Sequence, residues 1–327
     1  MRIVTQSEVE RLLPVGPCVG VMRQAMSATS RRDVTLPIRQ FMPIPDAPGK
    51  LAIMPGTLGE PACFGIKLVC KYDRPHDDPL GTHVGMVMLF DSVKGIPLAM
   101  IEGSSLTAIR TSAASALATD ILARKNATRL AIIGNGEQAM RHVHAMCAVR
   151  AVDHINVWGR DIERARTFAA AVADDTGIPV IACKSAAEAV AGADIICTTT
   201  SAKEPVLSGE ELEAGQHVNL VGSAIPAAAE VDDVAVERAS FYVDYRDAAM
   251  AAAGELLGAI ERGVVTADHI VAEVGEVLTD ETRGRNNDDQ ITMYKSLGVA
   301  SQDLAAAHAI WRMAEAENKG ITVDLMD

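Results

Sequence analysis

The stretch Leu130-Ala-Ile-Ile-Gly-Asn-Gly-Glu-Gln-Ala139 constrains the fold of this chain more than any other. Four apolar residues, Leu130 to Ile133, run into Gly134-Asn135-Gly136, and a helical pattern starts at Glu137. That order predicts a buried parallel strand, a tight glycine turn and a helix N-terminus, the unit that cradles a dinucleotide pyrophosphate. Gly134 lets the chain turn, Gly136 lets phosphates approach the backbone, and Ala139 lets the helix pack on the strand. Unpaired N–H groups and the helix dipole favour the anion. The spacing alone is a weak signal, and its surroundings decide its meaning.

Beyond the turn the rhythm is strand–helix–strand. Strands are expected at 154–158, 180–182, 195–199, 217–221 and 241–243, with a candidate last strand at 291–294. The rest of the chain beyond Asp244 reads as helical. Such alternation implies an α/β fold with a doubly wound parallel sheet, whose ligands lie beyond the carboxyl ends of the strands. Four strand ends, at Gly134, Gly159–Arg160, Thr198–Thr200 and Gly222–Ala224, finish in or beside Gly, Ser or Thr. The candidate cofactor residues are Gly134, Asn135, Gly136, Glu137, Gln138, Arg160, Thr198, Thr199, Gly222, Ser223 and Ser296. An acid ending the second strand would hold an adenosine ribose. Gly159 stands there instead, followed by Arg160, which suits a 2′-phosphate and leans toward NADP. Asp161 keeps NAD open.

The region before the turn has another pattern. Ser7 is expected to cap a helix at 8–13 that Pro14 ends, and Pro17 opens a second helix carrying Val19, Met22 and Met26. Strands follow at 34–42, 51–54, 64–69, 83–90 and 96–101, which reads as an α+β domain of consecutive antiparallel strands. Ser104, Ser105 or Thr107 caps a long helix to about Arg124. A terminal helix at about 301–317 is expected to pack back on this first region. The expected division is 1–115 with about 301–327, and 116–300.

Charge narrows the function. The 327 residues carry 30 Lys and Arg against 43 Asp and Glu, a formal net charge of −13, which argues against a nucleic-acid partner. An anionic substrate then needs a local cationic cluster. Lys67 lies within the apolar strand Phe64–Val69, Arg110 within the small-residue helix Leu106–Ala114, and Arg39 in mid-strand beside Pro37. A charge in apolar surroundings needs a partner, either an internal salt bridge or a substrate carboxylate. Thr82 and His83 precede a hairpin strand, and His83 is a candidate proton donor. Lys71, Arg74 and His76, in the loop nearby, would suit a second carboxylate if they are more than a solvated surface. Six cysteines show neither CxxC pairing nor metal-ligand rhythm, so no metal is expected and the thiols read as reduced. No charged-then-apolar leader and no apolar run of membrane-spanning length occurs, which predicts a soluble, cytoplasmic protein without a membrane partner.

Several motifs resemble the ornithine cyclodeaminase/mu-crystallin family. They are Gly65-Ile-Lys67, Val87-Met-Leu-Phe-Asp91 with Gly95 and Pro97-Leu-Ala99, Leu106-Thr-Ala-Ile-Arg-Thr-Ser-Ala-Ala114, and Ile132-Ile-Gly-Asn-Gly-Glu-Gln-Ala139. Ala193-Asp-Ile195, Glu230-Val-Asp232, Gly254-Glu255 and Lys295-Ser-Leu-Gly298 complete the match, which spans nearly the whole chain. The resemblance implies a Rossmann domain that binds NAD or NADP, and a smaller split domain that binds a small imino or amino acid and builds a homodimer. It assigns the substrate carboxylate to Arg39, Lys67, Thr82 and Arg110.

The departures select among the family's reactions. Cyclodeaminases carry an acid just before the Met-Pro of the second strand, and an aspartate after the Gly at the fifth Rossmann strand. Here those positions are Ala52 and Ala224. Cyclisation with loss of ammonia needs acids to manage protons and seat the distal ammonium, so the chain resembles the ketimine-reductase branch more closely. The expected activity is NAD(P)H-dependent reduction of a small α-imino acid to an L-amino acid, with iminosuccinate or pyrroline-2-carboxylate as leading substrates. Lys67, Arg110 and His83 are the candidate catalytic residues. The alternatives are a cyclodeaminase using Asp73, Asp77 or Asp78, and a non-catalytic NADP-regulated binding protein.

Overall fold

A computed structural model of the chain describes residues 1–74, 78 and 80–325. Its contacts gather into two units, Met1–Thr111 with Gly298–Asp327, and Ser112–Leu297. The sequence reading sets the divisions at 115/116 and about 300/301.

The first unit is built on a sheet of eight strands. Lys50–Leu58, Cys63–Lys71, His83–Asp91 and Pro97–Glu102 form its antiparallel centre, with Val34–Thr35 and Gln40–Pro43 on one edge. The expected single strand 34–42 is thus two short ones. Arg2–Val4, which no periodicity announced, pairs in parallel with Pro97–Glu102, so the sheet is not wholly antiparallel. Ile321–Thr322 closes that edge.

Strand residues alternate in burial along Lys50–Leu58, with Ala52, Met54, Gly56 and Leu58 inward. The helices Val15–Ser30 and Ala300–Ala316 pack in this unit, the latter against the central strands. Alanine makes that close packing achievable: Ala300, Ala305, Ala306, Ala307 and Ala314 are all buried. A Cβ on Gly65 would sit 2.8 Å from Leu304 and strike the Met88 carbonyl, so strand and helix meet there through glycine. Helix starts differ from expectation. Glu8 accepts from both the N–H and the hydroxyl of Thr5, which caps Gln6–Leu12 in place of Ser7. Glu102 accepts from the Ser104 and Ser105 N–H groups, so an acid rather than a hydroxyl holds the start of Gly103–Leu122.

The second unit carries an eight-stranded, wholly parallel sheet. Its spatial order is Val180–Ala182, His154–Trp158, Arg129–Ile133, Ile195–Thr198, His217–Leu220, Thr292–Lys295, Ser240–Val243 and Ile270–Glu273. This is the doubly wound α/β arrangement that the alternation predicted. Ile270–Glu273 falls in a stretch expected to be helical; four residues at a sheet edge carry too little periodicity to be read. Thr292–Lys295 is a central strand between two others. Among the described residues no helix is long and apolar enough to cross a membrane.

Candidate functional site

In the second unit the glycine turn leaves the strand Arg129–Ile133 and opens the helix Glu137–Val149. Gly134 has a φ of 123°, and its N–H donates to the Trp158 carbonyl at 2.7 Å. A Cβ at Gly134 would lie 2.7 Å from Thr199 Oγ1, so backbone and space both require glycine. Gly136 starts the helix without a side-chain cap, and a Cβ on it would meet nothing within 4 Å. Gly136 itself offers no side chain to cap the first-turn N–H groups, and the space beside it is open. Asn135, Glu137 and Gln138 line this same turn and first helical turn, while Ala139 is fully buried behind it. The residues present fit the pyrophosphate of NAD or NADP.

At the end of the neighbouring strand, Asp161 caps the next helix, accepting from Glu163 N at 2.9 Å and Arg164 N at 3.2 Å. That engagement leaves it less able to hold a ribose. Arg160 is exposed and, among the described residues, makes no hydrogen bond or ion pair.

Other predicted cofactor residues have inward duties. Thr198 is buried, and its hydroxyl donates to Glu230 Oε2 at 2.8 Å. Glu230 also accepts from Thr200 N at 2.7 Å, Thr200 Oγ1 at 2.8 Å and Gly222 N at 2.7 Å. Burial pushes the Glu230 carboxyl up, against the pull of Lys295 and the threonines. The Ser223 hydroxyl donates to Glu255 and accepts from Lys295 Nζ at 2.6 Å. Lys295 Nζ also lies 3.0 Å from Glu255 Oε2, and all three side chains are buried. Thr198 and Ser223 therefore brace the strand ends instead of presenting hydroxyls to a ligand. Thr199 stays beside Gly134, donating from its N–H to the Ile133 carbonyl at 2.8 Å. Ser296 is buried too; its N–H donates to Leu220, and its hydroxyl has no partner among the described residues.

The first unit gathers the cations. Lys67 Nζ donates to Asp303 Oδ1 at 2.8 Å, and Arg110 Nε donates to the same oxygen at 2.9 Å. Arg110 Nη1 reaches Gln302 Oε1 at 3.0 Å, and Arg39 Nη2 reaches the Gly298 carbonyl at 2.8 Å. Lys67, Arg110, Gln302 and Asp303 are all buried. Gly298, with φ of 72°, has the Arg110 guanidinium where a side chain would stand, at 2.6 Å from a notional Cβ. Burial, opposed by Asp303 and reinforced by Arg110 and Arg39, brings Lys67 down to about 8. Burial alone would raise Asp303, but Arg110 and Lys67 outweigh it and hold the carboxyl below its ordinary value. Lys67 is therefore a cation near neutral pH, yet one poised to give up a proton.

Asp303 and Gln302 were not among the predicted site residues. The available signal was a charged residue in the alanine-rich helix Ala300–Ala316, the same signal that singled out Lys67 and Arg110.

His83 and Thr82 lie at the exposed end of the strand, with Thr82 Oγ1 at 2.7 Å from His83 Nδ1. Crowding by the protein, then Lys71, Lys67 and Arg39, lowers His83 to about 4. At neutral pH the ring is uncharged, a hydrogen-bonding group rather than the expected acid. In the loop, Arg74 donates to the Gly81 carbonyl at 2.7 Å and sits over the Tyr72 ring. His76 and Asp77 lie outside the described residues. Asp78 Oδ1 accepts from Leu80 N at 2.9 Å and so closes its own turn.

Ala52 is paired across the sheet with Phe41 and Val69, one inward row from the Met54–Lys67 pair. An acid there would point toward the cations; a methyl does not. Ala224 packs on the apolar core of the second unit. A family model for the ornithine cyclodeaminase/mu-crystallin family matches residues 1–318. The chain belongs to this family. It is 36% identical over 325 residues to a Δ1-pyrroline-2-carboxylate reductase of Bacillus cereus, covering 99% of this chain and 100% of the relative. It is 35% identical over 278 residues to ketimine reductase mu-crystallin of Mus musculus, covering 85% of each. Among solved structures, Δ1-pyrroline-2-carboxylate reductase of Thermococcus litoralis, in complex with NADH and L-proline, superposes with a TM-score of 0.94. That match has 30% identity and covers 99% of this chain and 100% of the other.

Proposed function

We propose that the protein is an NAD(P)H-dependent imine reductase that converts a small α-imino acid into the L-amino acid. Iminosuccinate and pyrroline-2-carboxylate are the leading substrates by likeness to the relatives. The carrying observation is the buried set in which Lys67 and Arg110 share one oxygen of Asp303 while Arg39 holds the Gly298 carbonyl. Arg110 and Arg39 bind the α-carboxylate and fix the imine carbon, a positioning effect worth about 7–11 kcal/mol when complete. Bound NADH or NADPH supplies the hydride that reduces this carbon. Lys67, at about 8, gives the imine nitrogen its proton and is recharged from solvent. Thr82 orients His83, which hydrogen-bonds at the exposed margin.

For the cofactor, the capped Asp161 and the unengaged Arg160 support NADP over NAD. For assembly, a homodimer is supported by the outward sheet face of the first unit. Leu51, Ile53, Phe64 and Met88 there are only half-buried, and Val84 and Met86 are exposed. A second copy of the same face would cover them. The six cysteines are all unpaired, which fits the reducing cytoplasm.

The test supplies purified protein with pyrroline-2-carboxylate, or with pyruvate or oxaloacetate plus ammonia, and follows oxidation of NADH and NADPH. Reduction of one of these imines is expected. Proline formed from ornithine with catalytic NAD+ would replace this reading by cyclodeamination, and inertness toward every imine would leave a binding protein. Light scattering checks the dimer.

A further inference from the structure

The cation set around Lys67 continues along the sheet into a row that α-carboxylate binding does not account for. Lys50 pairs with Lys71, and Lys71 pairs with His83, across three neighbouring strands. Lys71 is four residues from Lys67 on one strand, so period two puts the row on the same face of the sheet. Like charges set opposite one another in a sheet repel. The neighbours feel this: Lys71 is lowered by burial, then by Lys50, with Arg39 adding to it and Asp73 opposing. A chain with 43 acidic residues had ample means to neutralise such a row.

The members of the row are not equally occupied. Lys50 Nζ rests 4.6 Å from the centre of the Phe41 ring. His83 Nδ1 is held at 2.7 Å by Thr82 Oγ1; with the hydroxyl donating, Nε2 carries the ring hydrogen and is a donor. Lys71 is half-buried and, among the described residues, its ammonium makes no hydrogen bond and no ion pair. A partly buried ammonium with no carboxylate in ion-pair contact among the described residues, beside an imidazole, is a binding arrangement for an anion. The separation suits a second acidic group on the same molecule. Arg39 acts electrostatically on Lys67, Lys71 and His83 alike, so the clamp for the α-carboxylate and the row lie within reach of one another.

We propose that Lys71 and His83 form a subsite for a second, side-chain carboxylate, so that α-imino dicarboxylic acids, iminosuccinate among them, are favoured over imines with apolar side chains. The inference rests on the imine-reductase reading and deepens it. A charge-assisted contact of this kind corresponds to a selectivity of about tenfold or more.

The test compares kcat/KM for oxaloacetate with ammonia against pyruvate with ammonia and against pyrroline-2-carboxylate, in the wild type and in Lys71→Met, Lys71→Arg and Lys71→Glu. The wild type should prefer the dicarboxylic imine. Lys71→Met should reduce the ratio of dicarboxylic to monocarboxylic kcat/KM by about tenfold, chiefly through KM. Lys71→Arg should keep most of the ratio, and Lys71→Glu should invert it. A wild type without the preference, or a Lys71→Met variant that slows all three imines equally, would overturn the subsite while leaving the imine-reductase reading intact. If no imine turns over, calorimetric binding of L-aspartate, L-alanine and L-proline to the protein with NADP+ still decides. Tighter L-aspartate, weakened selectively by Lys71→Met, supports the subsite, and equal binding of all three sinks it.

Discussion

Each unit of the molecule buries a lysine against carboxylates, and the two clusters are opposites. In the first unit Lys67, Arg110 and Asp303 put two cations on one carboxylate oxygen, and Asp303 Oδ2 has no hydrogen bond among the described residues. In the second unit Lys295 meets Glu255, and Glu230 beside it is closed by two backbone N–H groups and two hydroxyls. A buried cluster with cations in excess has room for an incoming anion. In the second, Glu230 is satisfied by amides and hydroxyls. Glu255 Oε2, without a hydrogen bond among the described residues, is held by the Lys295 ammonium at 3.0 Å, so carboxylates in excess leave a brace with no place for an anion. On the proposed reading the first does chemistry and the second is architecture, and the contrast can be broken by substitution.

The largest effect is expected on turnover in the first cluster. Arg110→Ala and Lys67→Ala should each lower kcat/KM by roughly 10²–10³-fold, the usual consequence of truncating a buried charged contact. NADPH binding, followed by fluorescence titration, should persist in both. Loss of NADPH binding in either variant would show that the cations serve the cofactor and would remove the contrast. Glu230→Ala should do the reverse, leaving several donors unsatisfied and destabilising the protein by about 3–5 kcal/mol. At roughly 2–4 °C per kcal/mol for a unit of this size, calorimetry should record a fall in Tm on the order of 10 °C. An unchanged Tm would deny Glu230 its bracing role.

Asp303 allows a finer test because it influences Lys67 without being the proton donor. Lys67 is held at about 8 by burial, against the raising effect of Asp303. With the protonated ammonium as the proposed proton donor, wild-type kcat/KM should decline as pH rises through about 8. Asp303→Asn removes the countercharge, so Lys67 loses its proton more readily and the decline should begin at lower pH. An alkaline limb left in place would mean that Lys67 is not the group being titrated.

How much of this was legible before folding depended on sequence distance. The glycine turn could be read because strand, turn and helix start are contiguous, and each glycine answers a local demand. Lys67 and Arg110 could be singled out because a charge within an apolar run is conspicuous by itself. Their shared partner could not be read: Asp303 is 236 residues from Lys67, and only the return of the terminal helix brings them together. The same holds for Thr198 and Ser223. Both sit at strand ends where a hydroxyl suits a cofactor, and only three-dimensional packing shows Glu230 and Glu255 taking those hydroxyls. Arg2–Val4 and Ile270–Glu273 escaped notice for another reason, since strands of three and four residues have no period to recognise.

The smallest predicted effect concerns the exposed rim of the second unit, away from its brace. Arg160 is exposed and follows Gly159, where an acid would have served a ribose hydroxyl; Asp161 is engaged as a helix cap. On the NADP reading a guanidinium so placed would contact the 2′-phosphate in partly solvated surroundings, where a charge-assisted contact is worth about 1.5 kcal/mol, near the lower end of its range. Arg160→Gln should therefore raise the KM for NADPH by roughly tenfold, with little effect on the KM for NADH and little on Tm. Raising the salt concentration should narrow the difference between the wild type and the variant for NADPH, because the contact is exposed to screening. Equal weakening of both cofactors would place Arg160 on the shared adenine instead, and would return the choice between NAD and NADP to the other strand ends.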